Sequence, residues 1–258
     1  MQLKVAAVIG GSGVLGGSMA EALAKAGASV AILYHNNRAG ADKRVASIKT
    51  LGGKAIAVQA DTSSRARLEE ALKEIVAQWN HVDILVNAPG VNSPTPVFDI
   101  KDEEWGRILD TNLKGVFQAC RVFAGHMLDR KIQGSIINIS SASSEIPLSK
   151  VFTYSISKAG VNNMTRFLAR EWATQGIRVN AIMPGFFPLN RIARFSPRSG
   201  RNRFLHTRRW PDSARLKNLL ARSCGSLHRR PRRLSRGLSS PSTVDLPQRP
   251  FSRRVYES

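Results

Sequence analysis

Tyr154 and Lys158 are the two residues of this sequence whose types and spacing most clearly suggest chemistry. They are four positions apart, so on a helix the phenol and the ammonium project from the same face. A phenol titrates at about pH 10 in water and is a poor acid at neutral pH. A neighbouring cation favours the phenolate and lowers that pKa, which would allow proton transfer at about pH 7. Such a pair is common, however, and in isolation a solvated pair on a helix surface is the better explanation.

Ser141 lies thirteen residues before Tyr154, after an apolar run that predicts a strand over 136–140. A helix that begins near Phe152 would bring the Ser141 hydroxyl next to the phenol.

A glycine-rich turn near the start of the chain supports the catalytic interpretation. Residues 10–17 read Gly-Gly-Ser-Gly-Val-Leu-Gly-Gly, between a strand predicted over 5–9 and a helix predicted over 15–26. A second predicted strand over 29–33 completes a βαβ unit. The bare backbone of the turn and the helix N-terminus suit a pyrophosphate, although a glycine cluster by itself could be a plain tight turn. In this context the turn predicts nucleotide binding.

The elements needed to position these residues follow a regular alternation up to residue 182. Further strands are predicted over 55–58, 84–87 and 177–182, and further helices over 41–51, 65–79, 103–128 and 152–175. The alternation predicts an α/β fold of the Rossmann type, a doubly wound parallel sheet with helices on both faces. Right-handed crossovers would place the carboxyl ends of the strands, with their motifs, along one edge.

The order of these motifs resembles that of the short-chain dehydrogenase/reductase family from residue 4 to about residue 188. The matching positions are the glycine turn, Asp61-Thr62 after the third strand, Asn87-Ala88-Pro89-Gly90 after the fourth, Asn112, Ser141, Tyr154 with Lys158, and the run from Arg178 to Pro184-Gly185. Two phrases, Gly13-Val14-Leu15-Gly16-Gly17 and Pro184-Gly185-Phe186-Phe187, are most similar to the branch that oxidises and reduces sugar acids. That branch includes gluconate 5-dehydrogenase and mannonate/fructuronate oxidoreductase.

The resemblance implies a reversible hydride transfer between a nicotinamide coenzyme, NADP or NAD, and a small polar substrate, expected to be a sugar acid. It makes Tyr154 the general acid or base and Lys158 the residue that lowers its pKa and binds the ribose. The resemblance also implies that Ser141 holds the substrate oxygen and that Asn112 holds a water that links Lys158 to solvent. An alternative for Asn112 is a helix-interior polar residue bonded to a neighbouring strand.

The same resemblance implies which residues hold the coenzyme. Besides Tyr154 and Lys158, they are Gly10, Ser12, Gly13, Leu15, Gly16, Arg38, Asp61, Thr62, Asn87, Gly90, Pro184 and Gly185. Asp61 would accept a hydrogen bond from the adenine, although an exposed turn aspartate is the alternative. The chain departs from the family pattern with Ile9 in place of Thr, Val14 in place of Gly, and Pro89 in the Asn-Asn-Ala-Gly motif. Because proline lacks an N–H and restricts the preceding residue, the loop around Pro89 is expected to differ in shape.

The choice of coenzyme is read at the end of the second strand. An acidic residue there binds the ribose 2′-hydroxyl, whereas a nearby arginine accommodates a 2′-phosphate. Residues 33–38 contain no carboxylate, and Arg38 is a candidate phosphate partner, with a solvated loop arginine as the alternative. The sequence therefore favours NADP over NAD.

Composition limits the other possibilities. A chain of 258 residues can form one α/β domain with a sizeable core, and no apolar run has the length of a membrane span. The first strand begins almost at once, which leaves no room for a signal peptide and predicts a cytoplasmic protein. Cys120 and Cys224 have no metal-ligand spacing, and no cluster predicts a metal site. The expected partners are a small-molecule substrate and, from the resemblance, further copies in a homo-tetramer or dimer, with neither a membrane nor a specific nucleic acid.

The basic charge of the chain is concentrated after residue 188. The net charge of +21 divides into +6 for residues 1–188 and +15 for residues 189–258, where 17 of the 18 basic residues are arginine. Arg, Ser and Pro dominate this segment, which has no apolar periodicity and is expected to be a largely disordered tail. A nucleic-acid-binding or membrane-surface arm and a simple spacer are two interpretations.

A shifted reading frame is the third interpretation, and the one that the genetic code favours. When each codon is formed from the third base of one present codon and the first two of the next, residues 189–193 permit Glu-Gln-Asn-Arg. Residues 209–219 permit Met-Ala-Arg-Phe-Gly-Glu-Pro-Glu-Glu-Leu, and residues 239–246 permit Val-Pro-Val-Asp-Gly-Gly-Phe. All three phrases resemble what the family carries in its last third.

On this hypothesis, residues 1–188 form a truncated nucleotide-binding domain and residues 189–258 are a frameshifted tail. The domain would lack the last strand and helices of the family, which supply a lid over the substrate and part of the subunit interface. The chain as written is then expected to be impaired in turnover and solubility. The rival functions are a nucleic-acid-binding protein that uses the arginine-rich tail and a catalytically silent nucleotide-binding scaffold.

Overall fold

The computed structural model of the protein describes residues 4–185, in which strands and helices alternate. The strands are β1 (Val5–Ile9), β2 (Ser29–Tyr34), β3 (Ala55–Gln59), β4 (Ile84–Asn87), β5 (Ser135–Ile139) and β6 (Arg178–Ile182). The α-helices are α1 (Val14–Lys25), α2 (Arg38–Thr50), α3 (Arg65–Trp79), α4 (Asp102–Leu109), α5 (Gly115–Asp129) and α6 (Phe152–Trp172).

The six strands form one sheet in the order β3-β2-β1-β4-β5-β6, and every neighbouring pair is parallel. The chain therefore changes direction across the sheet between β1 and β4, which is where ligands bind in open sheets of this kind. This arrangement confirms the predicted doubly wound α/β fold.

Strand β1 shows why helices cover both faces of the sheet. Its five residues are all apolar and buried, as in parallel strands that are covered on both sides. Ala6 and Val8 face the layer of α1 and α2, whereas Val5, Ala7 and Ile9 face the layer of α3 and α5. The two apolar layers fix the sheet between them and hold the carboxyl ends of its strands in place.

The helix predicted over 103–128 is interrupted in the structure. Residues Asp110–Lys114 form a π-turn between α4 and α5, so one long helix is replaced by two shorter ones. A π-turn inserts an extra residue into the helical ladder and is frequent at functional sites. This one turns the buried side chain of Asn112 towards α6 and the loop after β4.

Several sequence predictions lie outside the described residues. They concern Phe186-Phe187, the tail from residue 189, and the shifted-frame phrases. Over residues 4–185, no helix has the length and apolar character to span a membrane. Within the same range, no group of three His, Cys, Asp or Glu side chains is arranged to hold a metal ion.

Candidate active site

The predicted site residues converge at the carboxyl edge of the sheet. Gly10 follows β1, Asn87 ends β4, and Ser141 follows β5 after one intervening residue. The segment after β6 reaches the same edge, because the Ala142 N–H donates to the Pro184 carbonyl at 3.0 Å. Gly185 lies next to Pro184, and a Cβ added there would have no atom of the other described residues within 4 Å.

The glycine turn packs backbone against backbone. Gly10 has a φ of +73°, and a Cβ there would lie 2.6 Å from the Ala88 carbonyl oxygen. A Cβ at Gly16 would collide with the Gly10 carbonyl. Larger residues at either position would push the turn away from the loop after β4, so the close approach of these two segments requires glycine.

The N-terminus of α1 has the chemistry of an anion site. Its N-cap is Gly13, which gives no side-chain hydrogen bond, and the first turn carries no acidic residue. Ser12 and Leu15 flank this N-cap and are partly exposed. The N–H groups of the first turn are therefore not capped by a side chain and, with the positive end of the helix dipole, suit the diphosphate of a dinucleotide. The residues present fit the predicted coenzyme at this position.

Arg38 and Asp61 stand where coenzyme choice and adenine contacts were predicted. The Arg38 Nε donates to both carboxylate oxygens of Asp42, at 3.2 and 3.0 Å, and its Nη1 donates to the Tyr34 hydroxyl at 3.2 Å. The side chain is exposed, and these contacts with Tyr34 and Asp42 raise the pKa of the Arg38 guanidinium. Arg38 is thus an exposed cationic group at the start of α2, shortly after the end of β2.

The Asp61 carboxylate closes the turn before α3. Its Oδ1 accepts hydrogen bonds from the Ser63 hydroxyl at 2.8 Å and from the Ser63 N–H at 2.9 Å. These two bonds lower the pKa of Asp61, and its Oδ2 lies 3.7 Å from His35 Nε2. The geometry is that of the turn aspartate considered as the alternative, with Oδ2 directed away from the Ser63 turn. The neighbouring Thr62 is buried, and its Oγ1 would lie 2.8 Å from a Cβ at Gly115.

Asn87 was predicted to contact the coenzyme, but its side chain is buried inside the protein. Its Nδ2 donates to Asn138 Oδ1 at 2.9 Å and contacts Cys120 Sγ at 3.3 Å. Asn138 in turn donates to Thr165 Oγ1 at 2.9 Å. The side chain of Asn87 therefore joins β4 to β5, and a coenzyme contact from this position would have to come from its backbone. Burial raises the pKa of the Cys120 thiol to about 12, which excludes a reactive thiolate.

Helix α6 brings Tyr154 and Lys158 together as the spacing predicts. The Lys158 ammonium lies 5.6 Å from the centroid of the Tyr154 ring. It donates to the Ile139 carbonyl at 2.8 Å and to the Pro89 carbonyl at 3.3 Å. Since the adjacent Ala88 carbonyl packs against Gly10, these contacts join the Tyr154–Lys158 pair to the glycine turn. Gly90, next in the loop, is exposed, and a Cβ there would lie 3.8 Å from Lys158 Nζ.

Ser141 completes the cluster, because its side chain interacts with the Tyr154 phenol and favours the ionised form of that group. Two further serines, which no sequence motif singles out, bond the backbone of α6: Ser140 from the segment after β5, and Ser157 from within the helix itself. The Ser140 hydroxyl donates to the Lys158 carbonyl at 3.0 Å, and the Ser157 hydroxyl donates to the Tyr154 carbonyl at 2.6 Å. Their positions beside Ser141 and Lys158 were the only signal of this role in the sequence.

The pKa of Tyr154 differs from the sequence expectation. Burial raises the pKa of the phenol above its ordinary value, and the hydrogen bond with Ser141 opposes that rise. The Lys158 ammonium faces two carbonyl oxygens, and its burial lowers its own pKa to about 8. The net direction of the Tyr154 pKa is therefore opposite to the expectation, because burial of the phenol dominates it, and a lowering of that pKa by Lys158 stays a prediction.

The Asn112 side chain hydrogen-bonds the backbone of the loop after β4. Its Oδ1 accepts from the Val91 N–H at 2.8 Å, and its Nδ2 donates to the Val91 carbonyl at 2.9 Å and to Ser157 Oγ at 3.1 Å. The alternative of a structural asparagine thus fits its side chain, although the partner is a loop and not a strand. Asn112 thus connects the loop after β4 to helix α6 through its side-chain hydrogen bonds.

Comparisons with known proteins agree with this geometry. A family model described as short chain dehydrogenase matches residues 4–194. The 3beta-hydroxysteroid dehydrogenase 1 of Eggerthella lenta is 42% identical over 182 residues, which cover 70% of this chain and 70% of that protein. Glucose 1-dehydrogenase 2 of Bacillus subtilis is 37% identical over 183 residues, with 70% of this chain and 71% of that protein covered.

A solved structure gives the same result. A dehydrogenase/reductase from Sinorhizobium meliloti has a TM-score of 0.68 and 34% sequence identity, over 72% of this chain and 73% of that one. One similar protein is named for a steroid and another for glucose. The comparisons therefore indicate a family and a type of reaction without selecting a substrate.

Proposed function

Because this chain belongs to the short chain dehydrogenase family, whose members are oxidoreductases that act on hydroxyl or keto groups, we propose that its fold carries out NAD(P)-dependent oxidation and reduction of a small polar substrate. The observation that carries the proposal is the cluster of Ser141, Tyr154 and Lys158, joined through Pro89 and Ala88 to the glycine turn. When bound, the nicotinamide coenzyme supplies or accepts the hydride.

The residues of the cluster handle the oxygen and the proton. In reduction, Tyr154 donates its phenolic proton to the substrate oxygen, and Ser141 holds that oxygen with a hydrogen bond as negative charge develops. The raised pKa of Tyr154 keeps the phenol in the protonated form that this direction requires. In oxidation, Tyr154 must first lose that proton, so the oxidation rate is expected to rise with pH over a wider range than the reduction rate.

Lys158 and the helix α1 N-terminus have binding roles in this proposal. Lys158 would donate from its ammonium to the ribose hydroxyls, exchanging its present hydrogen bonds to Pro89 and Ile139 for the sugar. The N–H groups around Gly13 would hold the diphosphate. A proton relay through a water held at Asn112 stays a prediction, since both Asn112 side-chain N–H groups already donate to protein atoms.

The coenzyme preference proposed here is for NADP. It rests on the cationic Arg38 at the end of β2 and on the absence of a carboxylate at positions 33–38. Asp42 pairs with Arg38, so a 2′-phosphate would have to displace or share that contact.

The proposed substrate class is a sugar acid, from the phrases around Gly13 and Pro184. Residues from about 189 onward are proposed to be a frameshifted translation, which leaves residues 1–188 as the nucleotide-binding domain. The activity of the intact ancestral enzyme, expected to be a tetramer or dimer, is thereby separated from that of this chain. This chain is expected to keep coenzyme binding and to have little turnover.

The test of the proposed function is Tyr154→Phe. The substitution removes the proton donor and keeps the ring, so we expect coenzyme binding to remain and the rate of hydride transfer to fall by at least about a hundredfold. Binding is measured by coenzyme fluorescence with the 258-residue chain, and turnover with a version whose reading frame is restored from codon 189. Activity retained by Tyr154→Phe would contradict the assignment.

A further inference from the structure

The position of Ser141 is set by the turn that follows it. Ser141 has extended backbone angles, φ −159° and ψ 150°, and precedes a short 3-10 turn over Ala142–Ser144. A hydroxyl at the end of a strand has little to hold it unless the next residues fix the chain. The hydrogen bonds of Ser143 and Ser144 provide that constraint.

Ser143 hydrogen-bonds the side chain of Ser141, and Ser144 hydrogen-bonds its backbone carbonyl. The Ser143 hydroxyl donates to Ser141 Oγ at 3.0 Å, and the Ser143 N–H lies 3.2 Å from the same atom. The Ser144 hydroxyl donates to the Ser141 carbonyl at 2.7 Å. Because Ser141 Oγ already accepts from Ser143, its own proton is left for the Tyr154 phenol or for a substrate oxygen.

Asn162 connects this turn to the catalytic helix. It lies one helical turn after Lys158 on α6 and is 8% exposed. Its Nδ2 donates to Ser144 Oγ at 2.8 Å and also approaches Glu145 Oε1 at 3.3 Å and Met183 Sδ at 3.4 Å.

The direction of these bonds follows from the number of available protons. Ser144 has one hydroxyl proton, which it donates to the Ser141 carbonyl, so it must accept from Asn162. An amide supplies that proton, whereas a leucine of similar size would not. The Asn162 amide therefore sets the direction of the hydrogen bonds that run from Asn162 through Ser144 to Ser141.

Packing alone does not account for an asparagine at this position. Its Oδ1 is buried and has no hydrogen-bond partner among the residues that the structure describes. Leaving a buried acceptor unpaired is unfavourable, and an apolar residue of the same shape would avoid that cost. The donated bond to Ser144 is the contact that an apolar residue cannot replace.

We propose that Asn162 is a positioning residue that fixes the Ser141 hydroxyl against Tyr154 by way of Ser144. The role assigned to Ser141 rests on the proposed function, but the coupling itself is a property of the folded chain. It can be measured without substrate, coenzyme or turnover, so its failure is distinguishable from a failure of the proposed function.

The experiment uses the titration of Tyr154 to report on Ser141. The chain has three tyrosines, and the Tyr154 signal of a ¹³Cζ-tyrosine-labelled sample is assigned by its loss in Tyr154→Phe. The Ser141 hydrogen bond lowers the pKa of Tyr154. Asn162→Ala is therefore expected to raise that pKa by about half a unit or more, as Ser141→Ala does. Circular dichroism at each pH confirms that the chain stays folded.

Matched variants separate this role from a general loss of structure. Asn163→Ala removes the neighbouring, exposed asparagine of α6 and should leave the Tyr154 titration unchanged. Ser144→Ala breaks the same connection at a partly exposed residue and should reproduce the shift of the Tyr154 pKa. This variant replaces Asn162→Ala as the test if Asn162→Ala does not fold. Ser144→Thr keeps the hydroxyl and should retain the original titration.

The decisive comparison is made in a Ser141→Ala background. If Asn162 acts through Ser141, adding Asn162→Ala to Ser141→Ala causes no further shift of the Tyr154 titration. A shift of equal size in both backgrounds would overturn the proposal. An unchanged Tyr154 titration in a folded Asn162→Ala or Ser144→Ala chain would overturn it as well.

Discussion

Lys158 is a buried cation whose described hydrogen-bond partners are carbonyl oxygens. The residue is 2% exposed, and its ammonium donates hydrogen bonds to the Ile139 and Pro89 carbonyls. Carbonyl dipoles replace only part of the hydration that the ammonium loses, so burial lowers its pKa to about 8. A charge kept in such a place lowers the stability of the fold, which is typical of residues retained for function.

This cost predicts how stability depends on pH. Between about pH 8 and pH 10.5 the unfolded chain holds the Lys158 proton more tightly than the folded chain, so the free energy of unfolding rises with pH in that window. Relative to Lys158→Met, the original chain should gain up to about 3 kcal/mol between pH 7 and pH 10.5. Urea unfolding of both chains without coenzyme at several pH values measures the difference.

The comparison with Lys158→Met removes the contributions of other groups. Burial raises the pKa of Tyr154 and of Cys120, which makes stability fall at high pH, and both groups are present in both chains. Lys114→Met, at an exposed lysine, controls for the loss of a lysine as such. A free-energy difference that stays constant from pH 7 to pH 10.5 would show that Lys158 is not charged and buried as described.

Arg38 tests the coenzyme preference at the same scale. Arg38→Ala removes the cation proposed to bind a 2′-phosphate, so NADP affinity should fall about tenfold or more relative to NAD affinity. Arg65→Ala is a matched control, because Arg65 is another exposed arginine that pairs with a carboxylate four residues later. An equal loss for the two coenzymes, measured by fluorescence titration, would count against the NADP proposal.

At the scale of elements, a substitution at the N-terminus of α1 should change the stability of the protein and its affinity for the coenzyme in different directions. Gly13 has φ −78° and ψ 176°, which suit an aspartate N-cap. Gly13→Asp should therefore raise or preserve the melting temperature, because its carboxylate caps the first N–H groups. The same carboxylate occupies and repels the diphosphate site, so coenzyme affinity should fall at least about tenfold.

Gly13→Ala is the control for this element. It adds the same Cβ, which would lie 3.2 Å from the Gly10 carbonyl oxygen, without adding a charge. Calorimetry gives both the melting temperature and the affinity of each variant. Equal coenzyme affinity of the Asp and Ala variants would mean that the helix N-terminus is not the diphosphate site.

The sequence predicted the elements that local patterns determine. Continuous apolar runs located the strands to within one or two residues, and the Tyr154–Lys158 spacing placed both side chains on one helix face. The π-turn at Asp110–Lys114 was missed because its cause is the packing of Asn112 against Val91 and Ser157, distant partners that helical periodicity does not reveal.

The site residues that were missed or misjudged share a tertiary cause. Asn162 reads as an ordinary polar residue in a helix until the turn after β5 is placed beside it. The Tyr154 pKa was misjudged because a charge pair is visible in sequence, whereas the degree of burial is a property of the assembled fold. Motifs thus predicted which residues meet, and the structure determined their electrostatic environment.

At the scale of the whole molecule, the important feature is the position of β6 at one end of the sheet. It pairs with β5 on one side, and over residues 4–185 its other edge has no strand partner. Such an edge favours association with other chains. Nearby, Phe167 and Met183 are exposed. The proposed frameshift would leave the sheet with this edge.

Restoring the reading frame tests this proposal. Sequencing the gene through codon 189 should reveal codons that spell the family-like phrases in the alternative frame. The restored protein is expected to be soluble, oligomeric and active on sugar acids, whereas the 258-residue chain is expected to be less soluble and to show little turnover. Size-exclusion chromatography and coenzyme absorbance measure both, with Tyr154→Phe as the inactive reference. A soluble, fully active 258-residue tetramer would contradict the frameshift proposal.

The pairing of β1 with β4 also has a consequence for biosynthesis. Ala6 pairs with Ile84 and Ile9 with Asn87, so the crevice beside the glycine turn closes only through contacts between distant parts of the chain. A nascent chain that has exposed only β1, β2 and β3 outside the ribosome carries the whole glycine turn but only one wall of its crevice. Capture of the proposed dinucleotide is therefore expected to wait until β4 has emerged, and earlier folding has to proceed without help from the ligand.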